Sequence, residues 1–346
     1  MKAENKKYKI LVTGGTGFIG SHTVVELQNR GHKVIIADNL SNSNEEVVGN
    51  IEKITGIRPL FENIDLSDQR KTAAFFKRHK HIDGIIHFAA YKAVGESMEK
   101  PVEYYRNNVG SLLNVLDCMK IHGIRDIVFS SSCTVYGQPD ELPVTENAPV
   151  RAAWSPYGNT KQICEDILRF TTRSLPVKAI ALRYFNPAGA HETALIGELP
   201  IGTPNNLVPF IIQTATGQRQ CLSVFGDDYN TPDGTAIRDY LHVVDLARAH
   251  VVSVDRMLSG KCRTDMEVFN LGTGRGTSVM EVIKSFEKVS GMKLNYKIVE
   301  RRPGDVERVW ADTTLANTEL GWKAYKSLDD IMESAWKWGK ALEAKK

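Results

Sequence analysis

The sequence predicts an α/β protein: a doubly wound parallel sheet joined to a smaller C-terminal α/β domain. Three observations carry this expectation. Short apolar runs alternate with helix-period segments through the first half of the 346-residue chain. A glycine-rich turn, Gly14 to Gly20, follows directly on the first of those runs. The residues that break the apolar pattern fall at the ends of the runs, where ligands bind in sheets of this kind.

The first run, Ile10 to Val12, has the character of a buried parallel strand. The turn after it reads Gly15-x-Gly17-x-x-Gly20, the dinucleotide fingerprint of a Rossmann fold. Glycine is required there on steric grounds. The turn needs unusual backbone angles, the backbone must touch a pyrophosphate, and the helix must pack close to the strand. That helix carries Val24, Val25 and Leu27 and stops at Gly31; its opening N–H groups would face the phosphates. A second strand, Lys33 to Asp38, ends in an acid at about the 20-residue spacing from the glycines that suits an adenosine ribose. An acid there favours NAD over NADP, because a 2′-phosphate would be repelled.

Further strands are expected near Leu60–Ile64, Gly84–Phe88, Ile127–Ser130 and Val177–Arg183. Their ends carry Asp65, then Phe88-Ala89-Ala90, then Ser130-Ser131-Ser132, then Tyr184-Phe185-Asn186. One long helix begins at Pro101, with an apolar stripe of Val102, Tyr105, Val109, Leu112, Leu116 and Met119. Another opens at Ser155-Pro156-Tyr157, an N-cap serine before a first-position proline, and runs through Ile163, Cys164, Ile167, Leu168 and Phe170. These helices either cover the sheet or also pair with those of a second copy; the pattern fits both.

Beyond Asn186 the rhythm breaks into loops rich in Gly, Pro, Asn and Asp, with apolar islands at Leu207–Thr214 and Leu222–Phe225. Loops this long in a compact protein usually serve binding. Regular elements return at Leu241–Val254, Val268–Leu271, Val279–Val289 and Leu328–Lys340. Residues 1–185 are therefore expected to form the dinucleotide domain and 186–346 the substrate domain, with segments such as 241–254 returning to the first.

Composition excludes several classes. Basic and acidic residues number 44 and 41, which gives no argument for nucleic acid or membrane binding. No apolar run reaches a membrane span and no signal segment opens the chain. The five cysteines are odd in number and far apart, which suggests neither disulfides nor zinc and points to a reducing cytoplasm. No metal is expected: the acids of Asp227–Gly234 are not spaced as a calcium loop. His79 and His81 read as residues of a solvated loop.

Tyr157 and Lys161 lie four apart on one helix face. A phenol of ordinary pKa about 10 is a poor base at neutral pH. A neighbouring ammonium and an oxidised nicotinamide would both stabilise its anion. Lys161 could also hold the ribose hydroxyls. The serine run at the preceding strand end offers a hydroxyl to share a proton with a substrate oxygen.

With these residues in place, the chain resembles the extended short-chain dehydrogenase/reductase family, which uses the overlapping spacing Gly14-x-x-Gly17-x-x-Gly20. Within that family it is similar to the branch that interconverts UDP-galactose and UDP-glucose. The resemblance spans Thr13–His22, Ile86–Ser97, Phe129–Gly137, Ser155–Lys161, Arg183–Gly189, Pro204–Leu207, Arg238–Asp245 and Arg301–Asp305. It implies a UDP-hexose substrate, tightly held NAD, a transient 4-keto sugar and a homodimer. It assigns proton removal to Tyr157, a hydrogen bond on the sugar's O4 to Ser132, and ribose binding to Lys161. Cofactor contacts are implied at Gly14, Gly17, Phe18, Ile19, Gly20, Asp38, Asn39, Asp65, Leu66, Phe88, Ala89, Lys92, Asn107 and Phe185, beside Tyr157 and Lys161. Substrate contacts are implied at Asn186, Asn206, Leu207, Ser223, Phe225, Arg238, Tyr240, Arg302, Asp305 and Val309, beside Ser132 and Tyr157. The arginines suit a pyrophosphate, since each guanidinium fork can donate two bonds.

Two positions depart from the family pattern. Cys133 stands where alanine is common. Val309 stands at a pocket-wall position where a large aromatic residue restricts members to the plain hexose and a small one also admits the N-acetyl sugar. A valine there implies that UDP-GlcNAc and UDP-GalNAc are also interconverted. The rival readings are a 4,6-dehydratase, a net dehydrogenase and an NAD-sensing module without catalysis. The first lacks its acid–base pair at Cys133-Thr134, and the last would have no need of both Tyr157 and Lys161.

Overall fold

The computed structural model describes residues 7–202, 204, 206–302 and 306–345. They divide into two compact units. The first comprises 1–137, 150–183 and 247–269; the second comprises 138–149, 184–246 and 270–346. The chain thus crosses between the units at 137/138, 149/150, 183/184, 246/247 and 269/270.

The first unit opens with β1 (Lys9–Thr13), α1 (Phe18–Asn29), β2 (Lys33–Asp38), α2 (Glu46–Thr55) and β3 (Leu60–Asn63). It continues with α3 (Gln69–Arg78), β4 (Gly84–His87), α4 (Val94–Glu99), α5 (Pro101–His122) and β5 (Asp126–Ser132). A 3-10 turn (Cys133–Tyr136), α6 (Pro156–Ser174) and β6 (Lys178–Tyr184) follow. The second unit contributes β7 (Asn186–Ala188), α7 (Leu207–Ala215), β8 (Leu222–Phe225), β9 (Ile237–Arg238) and β10 (Tyr240–His242). Next come α8 (Val243–Leu258), whose residues from Ala247 belong to the first unit, and β11 (Met266–Leu271). The chain ends with β12 (Thr277–Ser278), α9 (Val279–Ser290), β13 (Tyr296–Val299), β14 (Arg308–Val309) and α10 (Leu328–Glu343).

Seven strands form one sheet in the order β11-β6-β5-β4-β1-β2-β3. Strand β1 is central: Ile10, Leu11 and Val12 are fully buried, and it pairs in parallel with β2 on one side and β4 on the other. The order reverses beside β1, and such a switch point opens a crevice at the carboxyl ends of the strands. The stripe of α5 faces this sheet: Leu112, Leu116 and Met119 are buried in its core with Cys164 and Leu168 of α6. Val102, Leu113 and Phe170 of the same helices stay exposed.

In the second unit, α7, α9 and α10 pack around short strands, with Ile211, Phe286 and Met332 at the centre of the core. The apolar island 207–214 is helical, and the one at 222–225 is β8, paired in parallel with β13. Segment 138–149 joins this unit because Val144 is claimed by it. The Val144 amide donates to the Trp310 carbonyl at 2.9 Å, and its own carbonyl accepts from Asp312 N at 2.7 Å and Asn270 Nδ2 at 2.9 Å.

One local expectation is corrected. His79 is not on a solvated loop. It caps the end of α3, hydrogen-bonds Glu62 and tilts its ring against Phe75, with centroids 4.6 Å apart. His81 is exposed.

Candidate active site

The glycine turn is built by steric exclusion. Gly14 has φ +69°, a left-handed conformation that glycine takes at no steric cost. A Cβ on Gly20 would lie 2.2 Å from the Gly14 carbonyl oxygen, so the first turn of α1 sits directly on the loop. No side chain caps the start of α1 at Gly17, and its first turn holds no acid. That combination suits a phosphate at the helix N-terminus. Gly20→Ala is expected to cost about 1–3 kcal/mol of stability, as other overpacked sites do, read as a lower thermal unfolding midpoint.

Asp38 is buried at the end of β2 beside this turn. Its Oδ2 accepts from Thr16 N at 3.1 Å and its Oδ1 from Leu40 N at 2.9 Å, which fixes the carboxylate. Asn39 follows, half-buried, its Oδ1 accepting from Ser41 N at 3.0 Å. The Asp65 carboxylate is held by Ser67 through its N and Oγ. Ala89 N donates to Thr13 Oγ1 at 3.2 Å, and the Phe88 ring lies 4.6 Å from that of His250. Phe18 and Ile19 are half-buried at the start of α1, and the exposed Lys92 places its ammonium 6.0 Å from the Phe18 ring. Asn107 donates to Asn108 Oδ1. Leu66 differs: its side chain is committed to the hydrophobic core, so only its backbone could face a ligand. Glycine turn, unencumbered helix start and strand-end carboxylate together fit a dinucleotide with a free ribose 2′-hydroxyl.

The second constellation of this unit lies where α6 meets the end of β5. Ser155 Oγ accepts from Gly158 N at 3.2 Å and starts the helix with Pro156 behind it. Tyr157 is half-buried, and Lys161 is buried one turn later. Lys161 Nζ donates to the Ser130 carbonyl at 2.7 Å. It lies 5.0 Å from the centroid of the Phe129 ring and 5.9 Å from that of Tyr157. Burial lowers Lys161 to about 8. An ammonium so costly to keep charged gains from an anion beside it, and the nearby phenol can become one. His87 poses no competition: burial, with the Lys161 charge adding, lowers it to about 3, and its Nδ1 bonds Thr13 Oγ1 at 2.9 Å. Ser132 Oγ accepts from Thr134 N at 3.2 Å, which leaves the serine proton to donate elsewhere. The Thr134 hydroxyl is itself buried, with no hydrogen-bond partner among the described residues, a feature the sequence did not signal.

The second unit contains a cavity of about 280 Å³. Asn186 of β7, Asn206 and Leu207 at the start of α7, and Ser223 and Phe225 of β8 line it. Arg238, Tyr240 and Arg302 line it as well, the Arg302 guanidinium 3.9 Å from the Phe225 ring centroid. Most substrate residues expected from the sequence therefore share one cavity. Phe185 is buried nearby in sequence, its N donating to the Leu271 carbonyl at 3.2 Å. Val309 lies outside that wall, on β14, in register with Arg238 of β9. Asp305 lies outside the described residues.

Two further residues of this unit were not expected. Arg219 lines the cavity with its guanidinium 4.7 Å from the Phe210 ring, yet it comes from a polar loop stretch with no motif. Asp239 is fully buried between Arg238 and Tyr240 and accepts from Thr273 N, Thr273 Oγ1, Gly274 N and Ala311 N. Burial raises its carboxyl above the usual range, against the pull of those four bonds. Among the described residues, no group of three or more His, Cys, Asp or Glu could hold a metal ion. Asp228 pairs with Arg301, and Asp233 accepts from Thr235 and Ser278.

Known proteins decide the family. The model of the GDP-mannose 4,6-dehydratase family matches residues 11–335. A UDP-glucose 4-epimerase of Yersinia enterocolitica is 48% identical over 332 residues, 96% of this chain and 97% of its own. The chain belongs to the UDP-glucose 4-epimerase family. Solved structures of UDP-glucose 4-epimerases agree. The Stenotrophomonas maltophila protein, with bound NAD and formylated UDP-arabinopyranose, has a TM-score of 0.94 at 46% identity, covering 98% of this chain and 100% of its own. The Bifidobacterium longum protein, in complex with NAD+ and UDP, has a TM-score of 0.91 at 46% identity, covering 96% and 98%. No helix among the described residues is long and apolar enough to cross a membrane.

Proposed function

We propose that this chain interconverts UDP-galactose and UDP-glucose through a transient 4-keto sugar, with NAD held tightly throughout. The observation that carries the reading is the grip of buried Lys161 on the Ser130 carbonyl at the end of β5, one turn from Tyr157 and two residues before Ser132. NAD, when bound, supplies the acceptor and later the donor of the C4 hydride. Tyr157, as phenolate, takes the proton of the 4-hydroxyl and later returns it. The Lys161 ammonium stabilises that phenolate and reaches for the ribose hydroxyls. Ser132 donates to O4 and holds it while the proton moves. Gly14, Gly17 and Gly20 cradle the pyrophosphate of NAD. Asp38 holds the adenosine ribose, with Asn39, Asp65, Phe88, Lys92 and Asn107 as further contacts.

The cavity of the second unit is the site of the UDP moiety. Arg238 and Arg302 face the pyrophosphate, and Phe225 offers the base an aromatic surface. A 4,6-dehydratase is disfavoured because Cys133 and Thr134 offer no acid–base pair after Ser132. A net dehydrogenase is separated by experiment: it would consume NAD stoichiometrically, whereas this chain should turn over UDP-galactose with none added.

A second substrate pair is proposed from the resemblance: Val309, buried on β14 outside the cavity and in register with Arg238, is much smaller than the aromatic residue that restricts members to the plain hexose. Purified protein is expected to convert UDP-GlcNAc to UDP-GalNAc as well, and Val309→Tyr to remove that activity by about tenfold or more while sparing UDP-galactose. Turnover of UDP-galactose with none of UDP-GlcNAc would refute this. We further propose a cytoplasmic homodimer. The five separate free cysteines fit a reducing compartment, and exposed Val102, Leu113 and Phe170 give α5 and α6 an apolar outer face.

A further inference from the structure

Beside the catalytic pair lies a buried polar cluster that the mechanism above does not use. Glu165 stands on α6 one turn beyond Lys161 and is 2% exposed. Its Oε1 accepts from the Ser131 hydroxyl at 2.5 Å and from Arg183 Nε at 2.9 Å. Its Oε2 accepts from Arg183 Nη2 at 2.5 Å. Arg183, on β6, also donates from Nη1 to the Tyr136 hydroxyl at 3.0 Å, its guanidinium 4.9 Å from that ring's centroid. One carboxylate therefore ties together α6, the end of β5, β6 and the 3-10 turn. Stability alone is a poor reason to bury such a pair, since apolar replacements of similar volume are often neutral or better.

Its geometry suggests a different use. Lys161 holds the Ser130 carbonyl and Glu165 holds the Ser131 hydroxyl. Two side chains one turn apart on α6 thus grip two consecutive residues of β5. A helix held at two points along its axis can neither slide nor rotate against the strand. Ser132 is the next residue of that strand, and Tyr157 is one turn before Lys161 on that helix.

We infer that Glu165 is a positioning residue for proton transfer: through Ser131 and Arg183 it sets the helix bearing Tyr157 against the strand end bearing Ser132. The inference rests on the epimerase reading above. A misplacement of about 1 Å at a reacting pair can cost about a hundredfold in rate, so loss of the tether should be read in kcat.

The test is UDP-galactose turnover by the full chain and by two variants, Ser131→Ala and Glu165→Gln. Ser131→Ala removes one hydroxyl and leaves the ion pair whole, so it stays informative even if Glu165→Gln, which strands Arg183, fails to fold. Ser131→Ala is expected to lower kcat about tenfold, with KM within about twofold of wild type and bound NAD retained. Folded Glu165→Gln should show the same split with a larger loss. A Ser131→Ala protein with wild-type kcat, or with its loss confined to KM, overturns the inference whatever its thermal midpoint. Wild-type protein without any epimerase turnover overturns the functional reading itself, and this inference with it.

Discussion

Tyr157→Phe is expected to lower turnover of UDP-galactose by about a thousandfold, within the range found when a positioned acid–base group is removed, while NAD stays bound. The phenol oxygen is the proton acceptor in the proposed reaction, and the phenylalanine ring fills the same space without it. Tyr157 is one of the residues assigned to the dinucleotide and loses only its hydroxyl; the others, from the Gly14–Gly20 turn to Asp38 and Asn107, are untouched by the change. Turnover and NAD content should therefore separate cleanly, the first lost and the second kept. Near-normal turnover in this variant would mean that a group other than Tyr157 takes the proton of the 4-hydroxyl, and would overturn the role given to Tyr157.

Lys161→Met is expected to lower turnover about a hundredfold at neutral pH and to move the acid limb of the pH profile upward. The sign follows from the charge. An ammonium beside Tyr157 favours the phenolate and lowers its pKa, so removing it returns the phenol toward its ordinary value of about 10. Activity that depends on the phenolate then appears only at higher pH. Burial already lowers Lys161 to about 8, so its charge is held in the fold at a cost. An apolar side chain of similar length should leave the thermal midpoint close to wild type. A rate loss without that pH displacement would mean that Lys161 does not tune Tyr157 and acts only by holding the cofactor and the Ser130 carbonyl.

The parts of the site that were legible in the sequence are those fixed by local demands. The Gly14–Gly20 turn is written in the sequence because no other residue fits where a Cβ would meet the Gly14 carbonyl at 2.2 Å. Tyr157 and Lys161 were legible because four residues along a helix is one turn, and Ser155-Pro156 marked where that helix starts. Glu165 was not. A glutamate on an amphipathic helix reads as surface, and only its partners on β5 and β6 show that it is buried. Arg183 held a clue, since a cation at the end of the apolar run Ala179–Leu182 requires a counter-charge. Asp239 and Val144 were hidden for the same reason. Their hydrogen-bond partners come from the stretch 270–312, too distant in sequence for any periodicity to reveal.

Epimerisation with a resident cofactor is read by incubating purified protein with UDP-galactose, without added NAD. UDP-glucose is expected to form to equilibrium with no release of NADH, and one NAD per active chain to be recovered on denaturation. Absence of UDP-glucose until NAD is supplied, with NADH accumulating in step with product, would contradict it.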